Sequence, residues 1–257
     1  MVPQEYADRL VATRGRAPSE RRLVTVLFAD VKGSTAMAET LDPEDVMEIM
    51  SGALELLVEP VIRHEGTVAR LMGDGLLAFF GAPLSHEDDP ERAVRAALDI
   101  VAAAGHYAAW LEKERGLSGF DVRVGINTGL VVVGEVGTDL RVEYTAMGDA
   151  INLAARLEQK APPGSVLISH DTYRHVRGDF DVAPQEPLAV KGRAQPVITY
   201  IVERARPHAF RRGRRGVDGI ETPMVGREAE LQWLQDALRR IVERGQCRWT
   251  GPCAARS

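Results

Sequence analysis

Apolar residues along this chain keep two periods in turn, one of a strand and one of a helix. LVTVLFADV, from Leu23, is a β-branched apolar run ending on an acid, the texture of a buried strand. Beyond a small-residue turn, Asp42 stands as N-cap before Pro43. Val46, Ile49, Met50, Ala53, Leu57 and Val61 then recur at helical spacing, which predicts a helix closed by Gly66. Thr67 to Leu71 and Leu76 to Phe80 flank Gly73-Asp74-Gly75, and an Asp-Gly pair between apolar runs predicts a hairpin with Asp74 at its tip. HEDDPERAVRAALDI repeats the helix-start chemistry, with Asp89 before Pro90 and Val94, Ala97, Leu98 and Val101 facing inward. Strands are predicted at 122–126, 131–134 and 141–144, and a third helix from Asp149 to Pro162-Pro163-Gly164. Shorter strands are predicted at 165–169, 186–190 and 197–202.

Strand, helix, strand, strand, helix, strand is the order of a split βαβ sheet. The expected class is α+β, a ferredoxin-like βαββαβ antiparallel sheet with helices on one face plus an appended helix and strands. Residues 1–20 read as an N-terminal tail and 204–221, with RARPHAFRRGRRG, as a basic linker. Residues 222–257 read as the opening of a further domain.

Composition narrows the class. With 257 residues, 45% hydrophobic and 27% charged, the chain has the balance of a globular protein able to bury a large core. A net charge of −5 does not favour a nucleic-acid-coating protein, and the Arg run reads as a solvated segment. Glu5, Asp8 and Arg9 stand where a signal peptide needs an apolar core, and the most apolar helical stretch, Ala93 to Leu111, is broken by Arg95 and Asp99. A cytoplasmic protein without a membrane span is expected. Cys247 and Cys253 match no zinc or redox spacing, and the histidines form no metal-ligand motif, which argues against a histidine-ligated hydrolase.

The chemistry gathers elsewhere. Asp30 ends a strand and Asp74 tips a hairpin, and a split βαβ sheet sets the first strand beside that hairpin, so the two carboxylates are expected to converge. Carboxylates without His or Cys suit a hard ion such as Mg²⁺ or Mn²⁺, and two such ions suit phosphoryl transfer. Val31-Lys32-Gly33-Ser34-Thr35 is a small-residue turn whose backbone N–H groups can hold phosphate oxygens. Asn152 and Arg156, four apart on one helix, point the same way, and a guanidinium suits a phosphate gathering charge. Taken singly, each of these residues also has a plain structural reading: a turn cap, a hairpin tip, a surface ion pair.

Together they make a resemblance. FADVKGST, RLMGDGLLAFFG, VRVGINTG and YTAMGDAINLAARLE stand in the order and approximate spacing of class III nucleotidyl cyclases, and the likeness spans 21–203. HEDDPERAVRAAL and LAVKGRAQPV resemble the bacterial branch related to soluble adenylyl cyclases. The resemblance implies that Asp30 and Asp74 bind two Mg²⁺ or Mn²⁺ ions per site, with the Val31 carbonyl as a further ligand. It implies that Asn152 orients the ribose while Arg156 stabilises the α-phosphoryl transition state. It also implies a homodimer with its sites at the interface, each taking its aspartates from one subunit and its Asn and Arg from the other. The turn 31–35 and Lys191 would meet phosphates. Arg70 replaces the family's usual lysine at the base pocket, and Thr145 holds the second specificity position. Arg70 can donate to adenine N1 or fork onto guanine, and the Thr145 hydroxyl serves either base. ATP is the expected substrate and GTP the alternative. A nucleotide-binding dimerisation module without turnover is the competing reading from another class. TPMVGREAELQWLQDAL resembles the entry helix of an ATPase module, but GQCRWTGPCAARS lacks a P-loop, so no ATPase activity is expected.

Overall fold

The apolar run at Leu23 becomes β1 (Glu20–Lys32), the strand around which the sheet is built. The computed structural model describes residues 20–34, 37, 39, 41–138, 141–190, 195–206, 232, 233 and 236, with backbone alone for 20, 134–138 and 141–147. β1 is buried on both faces, Val24 and Val26 toward one side and Leu27, Ala29 and Val31 toward the other, which is why its apolar run does not alternate. Thr25 interrupts that run without penalty, because its hydroxyl pairs with that of Thr128 at 2.9 Å.

α1 (Pro43–Arg63) follows, then β2 (Thr67–Met72), β3 (Gly75–Phe80), α2 (Asp89–Arg115) and β4 (Asp121–Thr138). The order β2-β3-β1-β4 with antiparallel neighbours throughout is the ferredoxin-like core expected from the sequence. β5 (Arg141–Met147) pairs only with the far end of β4; α3 (Asp149–Lys160) then leads to β6 (Ser165–Ser169), parallel to β4. α4 (His170–Val176), β7 (Phe180–Pro184) and β8 (Thr199–Ala205) complete the sheet, in the order β6-β8-β7.

α1 and α2 cover one face, packing Ile49, Ala53, Leu57, Val94, Ala97 and Ile100 on Leu27, Ala29 and Ile126. The appended helix α3 lies on the opposite face, with Ala150 and Ala154 against Val24, Val26, Phe79 and Val131. Leu188 to Val190 pack with Leu153 and Leu157 on that helix's outer side.

Several local expectations shift. The predicted strands at 122–126 and 131–134 are one continuous β4, because Thr128 and Gly129 stay in register with β1. The 186–190 strand reduces to a single bridge, Leu188 to Val197, while β7 and α4 carry no predicted counterpart. α1 has Asp42 at N-cap as expected, but α2 has Asp88 there, and neither side chain makes a cap hydrogen bond. Asp89 instead accepts from the His86 backbone N–H at 2.9 Å, closing the turn before the helix. At the hairpin, Gly73 and Asp74 form the two-residue loop, and the positive φ of 65° falls on Gly73. The chain divides into two units after Pro207. Glu20, the last residue of the predicted 1–20 tail, opens β1, and Arg204 and Ala205, the first of the predicted linker, belong to β8; residues 1–19 and most of the linker and C-terminal helix lie outside the described residues, as do Thr35 and Lys191.

Candidate active site

Asp30 lies near the end of β1, on the face that carries α3. Its register partners there are Gly75 on β3 and Arg123 on β4. Gly75 is needed for space: a Cβ would stand 3.3 Å from Asp30 Oδ1 and 3.1 Å from the Ala29 carbonyl. Asp74, one residue before it, is tied to the end of β1, its carbonyl accepting from Val31 N–H at 3.1 Å. Its Oδ2 accepts from the Ser34 hydroxyl at 2.5 Å, which ties the end of β1 and the turn at 33–34 to the hairpin tip.

The two aspartates therefore meet, as the topology required. Burial pushes the Asp30 carboxyl above the usual carboxylate range; the adjacent Asp74 adds to that by its charge and a shared hydrogen bond, and Arg123 works against both. Two oxygen donors held this close, with space kept open by Gly75, fit a hard divalent ion. Among the described residues no group of three or more His, Cys, Asp or Glu side chains is placed to hold a metal ion by itself. The remaining ligands of a six-coordinate ion would come from the Val31 carbonyl, substrate phosphates and water.

Arg123 and Glu158 join this site without having been anticipated. Arg123 Nη2 donates to Asp30 Oδ2 at 2.7 Å and lies 3.1 Å from Glu158 Oε1. Arg123 Nη1 reaches the Gln159 carbonyl at 3.4 Å. One guanidinium thus serves two carboxylates beside a third. Burial and the charges of Asp30 and Asp74 outweigh it, and the Glu158 carboxyl is pushed up to about 7.

That shift has a testable sign. The folded value exceeds the ordinary 4.5, so the folded chain holds more protons than the unfolded one between pH 4.5 and 7, and stability falls as pH rises through that window. With a chelator present, Glu158→Gln is expected to gain stability over wild type by roughly 2 kcal/mol at pH 8 and by little at pH 5, read from urea melts at both values. An equal difference at the two pH values would remove the raised Glu158 carboxyl and the burial and like-charge crowding invoked for it.

α3 is seated by glycines. Arg123, Gly125, Asn127 and Gly129 alternate along one face of β4, and a Cβ on Gly129 would lie 2.8 Å from the Ala150 Cβ. Asn127 Nδ2 donates to the Ala150 carbonyl at 2.9 Å. This is the physical content of the VRVGINTG stretch: small and polar residues let the helix backbone approach the strand. A row of polar and glycine positions at period two was the available signal, though such a row also describes a solvated strand face.

On its outer side α3 presents Asn152 and Arg156 to a groove of about 420 Å³ whose opposite wall includes Leu188, Ala189 and Val190. The groove contains neither aspartate. Arg70 is exposed on β2, where a bulge at Ala69 sets it opposite Leu77; Leu77 pairs in turn with Phe28, so Arg70 shares the sheet face of Asp30. Thr145 sits on β5, its backbone opposite Gly134. Lys32, Gly33 and Ser34 follow β1 into the turn tied to Asp74, Gly33 with a φ of 93° that favours glycine.

Residues 17–204 match the family described as Adenylate and Guanylate cyclase catalytic domain. The chain belongs to that family. This cyclase domain is 35% identical over 206 residues to Adenylate cyclase 1 of Rhizobium meliloti, an alignment covering 78% of this chain and 31% of that relative. It superposes on the adenylyl cyclase CyaB from P. aeruginosa with a TM-score of 0.68 and 32% identity, over 74% of this chain and 98% of that one. The guanylyl cyclase Cya2 gives 0.70 and 31%, over 76% and 98%. The chain spans between 22% and 39% of the length of the first three curated relatives it matches. No described helix is long and apolar enough to cross a membrane.

Proposed function

We propose that this cyclase domain, read as 21–203 and carried on by β8 to Ala205, converts ATP to 3′,5′-cyclic AMP and pyrophosphate as a cytoplasmic homodimer, with the remainder of the 204–221 segment as a basic linker. The convergence of Asp30 and Asp74 on one sheet face carries the reading. In the reaction the ribose 3′-oxygen forms a bond to the α-phosphorus, the α–β bridging bond breaks, and pyrophosphate leaves. Asp30, Asp74 and the Val31 carbonyl would hold two divalent ions, and what Mg²⁺ or Mn²⁺ would supply when bound is activation of the 3′-hydroxyl and neutralisation of phosphate charge.

The chain's other groups bind and orient. Backbone N–H groups of Lys32, Gly33, Ser34 and Thr35 meet phosphate oxygens. Asn152 orients the ribose, Arg156 meets the charge growing on the α-phosphoryl group, and Lys191 meets the terminal phosphates. Arg70 donates to adenine N1, and the Thr145 hydroxyl accepts from the adenine amino group. Because the Asn152 and Arg156 groove excludes the aspartates of its own chain, a second subunit is the source that completes each site. The relatives include both adenylyl and guanylyl cyclases, and the guanylate cyclase domain of RhGC from Catenaria anguillulae is known in complex with GTP. GTP is therefore the second substrate to assay.

The test is turnover with Mn²⁺ and ATP or GTP in parallel, across protein concentration. Cyclic AMP is expected in excess of cyclic GMP, at a rate per subunit that rises with concentration as dimers form. Yields no higher than those of an Asp30→Ala control with either nucleotide would leave only the non-catalytic module, and cyclic GMP in excess would reassign the base.

A further inference from the structure

The groove beside α3 contains one cation that neither the motifs nor the functional reading uses. Lys160 follows Arg156 by four residues, as Arg156 follows Asn152, so the three side chains occupy successive turns of one helix face. All three line the same groove of about 420 Å³, and the chain opposite, Leu188 to Val190, leads directly into Lys191. The Lys160 side chain makes no hydrogen bond or ion pair among the described residues. Glu158, two residues away, is buried toward the sheet and held by Arg123, so it does not neutralise this face.

We propose, resting on the nucleotidyl cyclase reading above, that Lys160 is a further substrate-binding residue and takes the outer phosphates of the nucleoside triphosphate. Direction along the helix supplies the assignment. Asn152 serves the ribose and Arg156 the α-phosphoryl group, so the polyphosphate runs toward the C-terminal end of α3. Each step of four residues advances about 6 Å along the axis. The next side chain in that direction is Lys160, and its flexible four-carbon stem and ammonium suit phosphates that spread outward and carry most of the negative charge. A lysine in the last turn also complements the helix dipole, but that role requires no groove and does not distinguish one nucleotide from another.

Lys160→Gln separates the two roles, with Lys160→Arg as the conservative variant and Lys113→Gln, at an exposed position of α2, as the control. Binding of 3′-deoxy-ATP with Mn²⁺, which cannot close the ring, is measured by calorimetry beside 3′-deoxy-AMP. Lys160→Gln is expected to weaken the triphosphate about tenfold and leave the monophosphate unchanged. Lys160→Arg should retain wild-type affinity, and Lys113→Gln should alter neither nucleotide. In turnover, KM for ATP should rise about tenfold with kcat little altered, because the contact exists before the reaction begins. Unchanged triphosphate affinity in Lys160→Gln, or an equal loss for both nucleotides, overturns the assignment while wild-type turnover keeps the functional reading intact. A wild-type chain that binds no triphosphate and forms no cyclic nucleotide overturns both.

Discussion

Asp30→Ala and Asn152→Ala chains are each expected to be inactive alone and to recover turnover when mixed. On the proposed reading Asp30 is one of two carboxylates that would hold the divalent ions, and its loss would leave Asp74 alone to hold them. A fall of at least about a thousandfold is expected, some 4 kcal/mol of transition-state stabilisation. Asn152→Ala removes the group proposed to orient the attacking ribose and is expected to fall by a similar order. In a random mixture about half of the dimers carry one chain of each kind, and each such dimer has one intact site of two. Activity near one quarter of wild type is therefore the expected plateau, measured as cyclic nucleotide formed after co-refolding at equal ratio. The recovery follows from geometry: Asn152 lines a groove that excludes Asp30 of its own chain. No recovery in a mixture shown to form mixed dimers would place both residues in one site of one chain and end the interface reading.

Gly125→Ala should destabilise the fold more than an added methyl group ordinarily does. A Cβ at that position would stand 2.1 Å from the Glu158 backbone nitrogen and 2.5 Å from the Ala154 carbonyl. Both are backbone atoms of α3, so no side chain can rotate away, and the helix itself must leave the strand. About 3 kcal/mol or more is expected, lowering Tm by roughly 6 to 12 °C. Gly105→Ala is the matched comparison. That glycine is exposed inside α2 with nothing within 4 Å of its added Cβ, so the substitution should gain up to about 1 kcal/mol through helix propensity. Thermal melts of the two variants should move in opposite directions. Because α3 carries Asn152 and Arg156, Gly125→Ala should also lose activity at temperatures where it remains folded.

Most of the ferredoxin-like core was open to sequence reading because its signals are local. β1 announced itself by an apolar run, α1 by Asp42-Pro43 and its helical spacing, and the hairpin by the residues around Asp74. α4 and β7 were not, being short elements of seven and five residues whose helical or extended form is set by what they pack against. The continuity of β4 through Gly129 was likewise a matter of pairing with β1, which overrides the glycine's weak strand preference.

The candidate site divides along the same line. Asp30, Asp74, Asn152 and Arg156 were legible as residue types at motif spacings, and the strand order alone brought the aspartates together. Arg123 and Glu158 were not. An arginine on an alternating strand and a glutamate near a helix end belong, on sequence evidence, to solvated surfaces. They become neighbours of Asp30, Glu158 buried and Arg123 half-buried, only because Gly125 and Gly129 allow α3 to lie directly on β4. Linear order, in short, determined which groups this protein possesses and in which elements they stand, since hydrophobic period and turn chemistry act over a few neighbouring residues. Which charges share one guanidinium, and which face of α3 is left to line a groove, was decided by the docking of a helix on a distant strand, where burial and close approach set the strength of every charge.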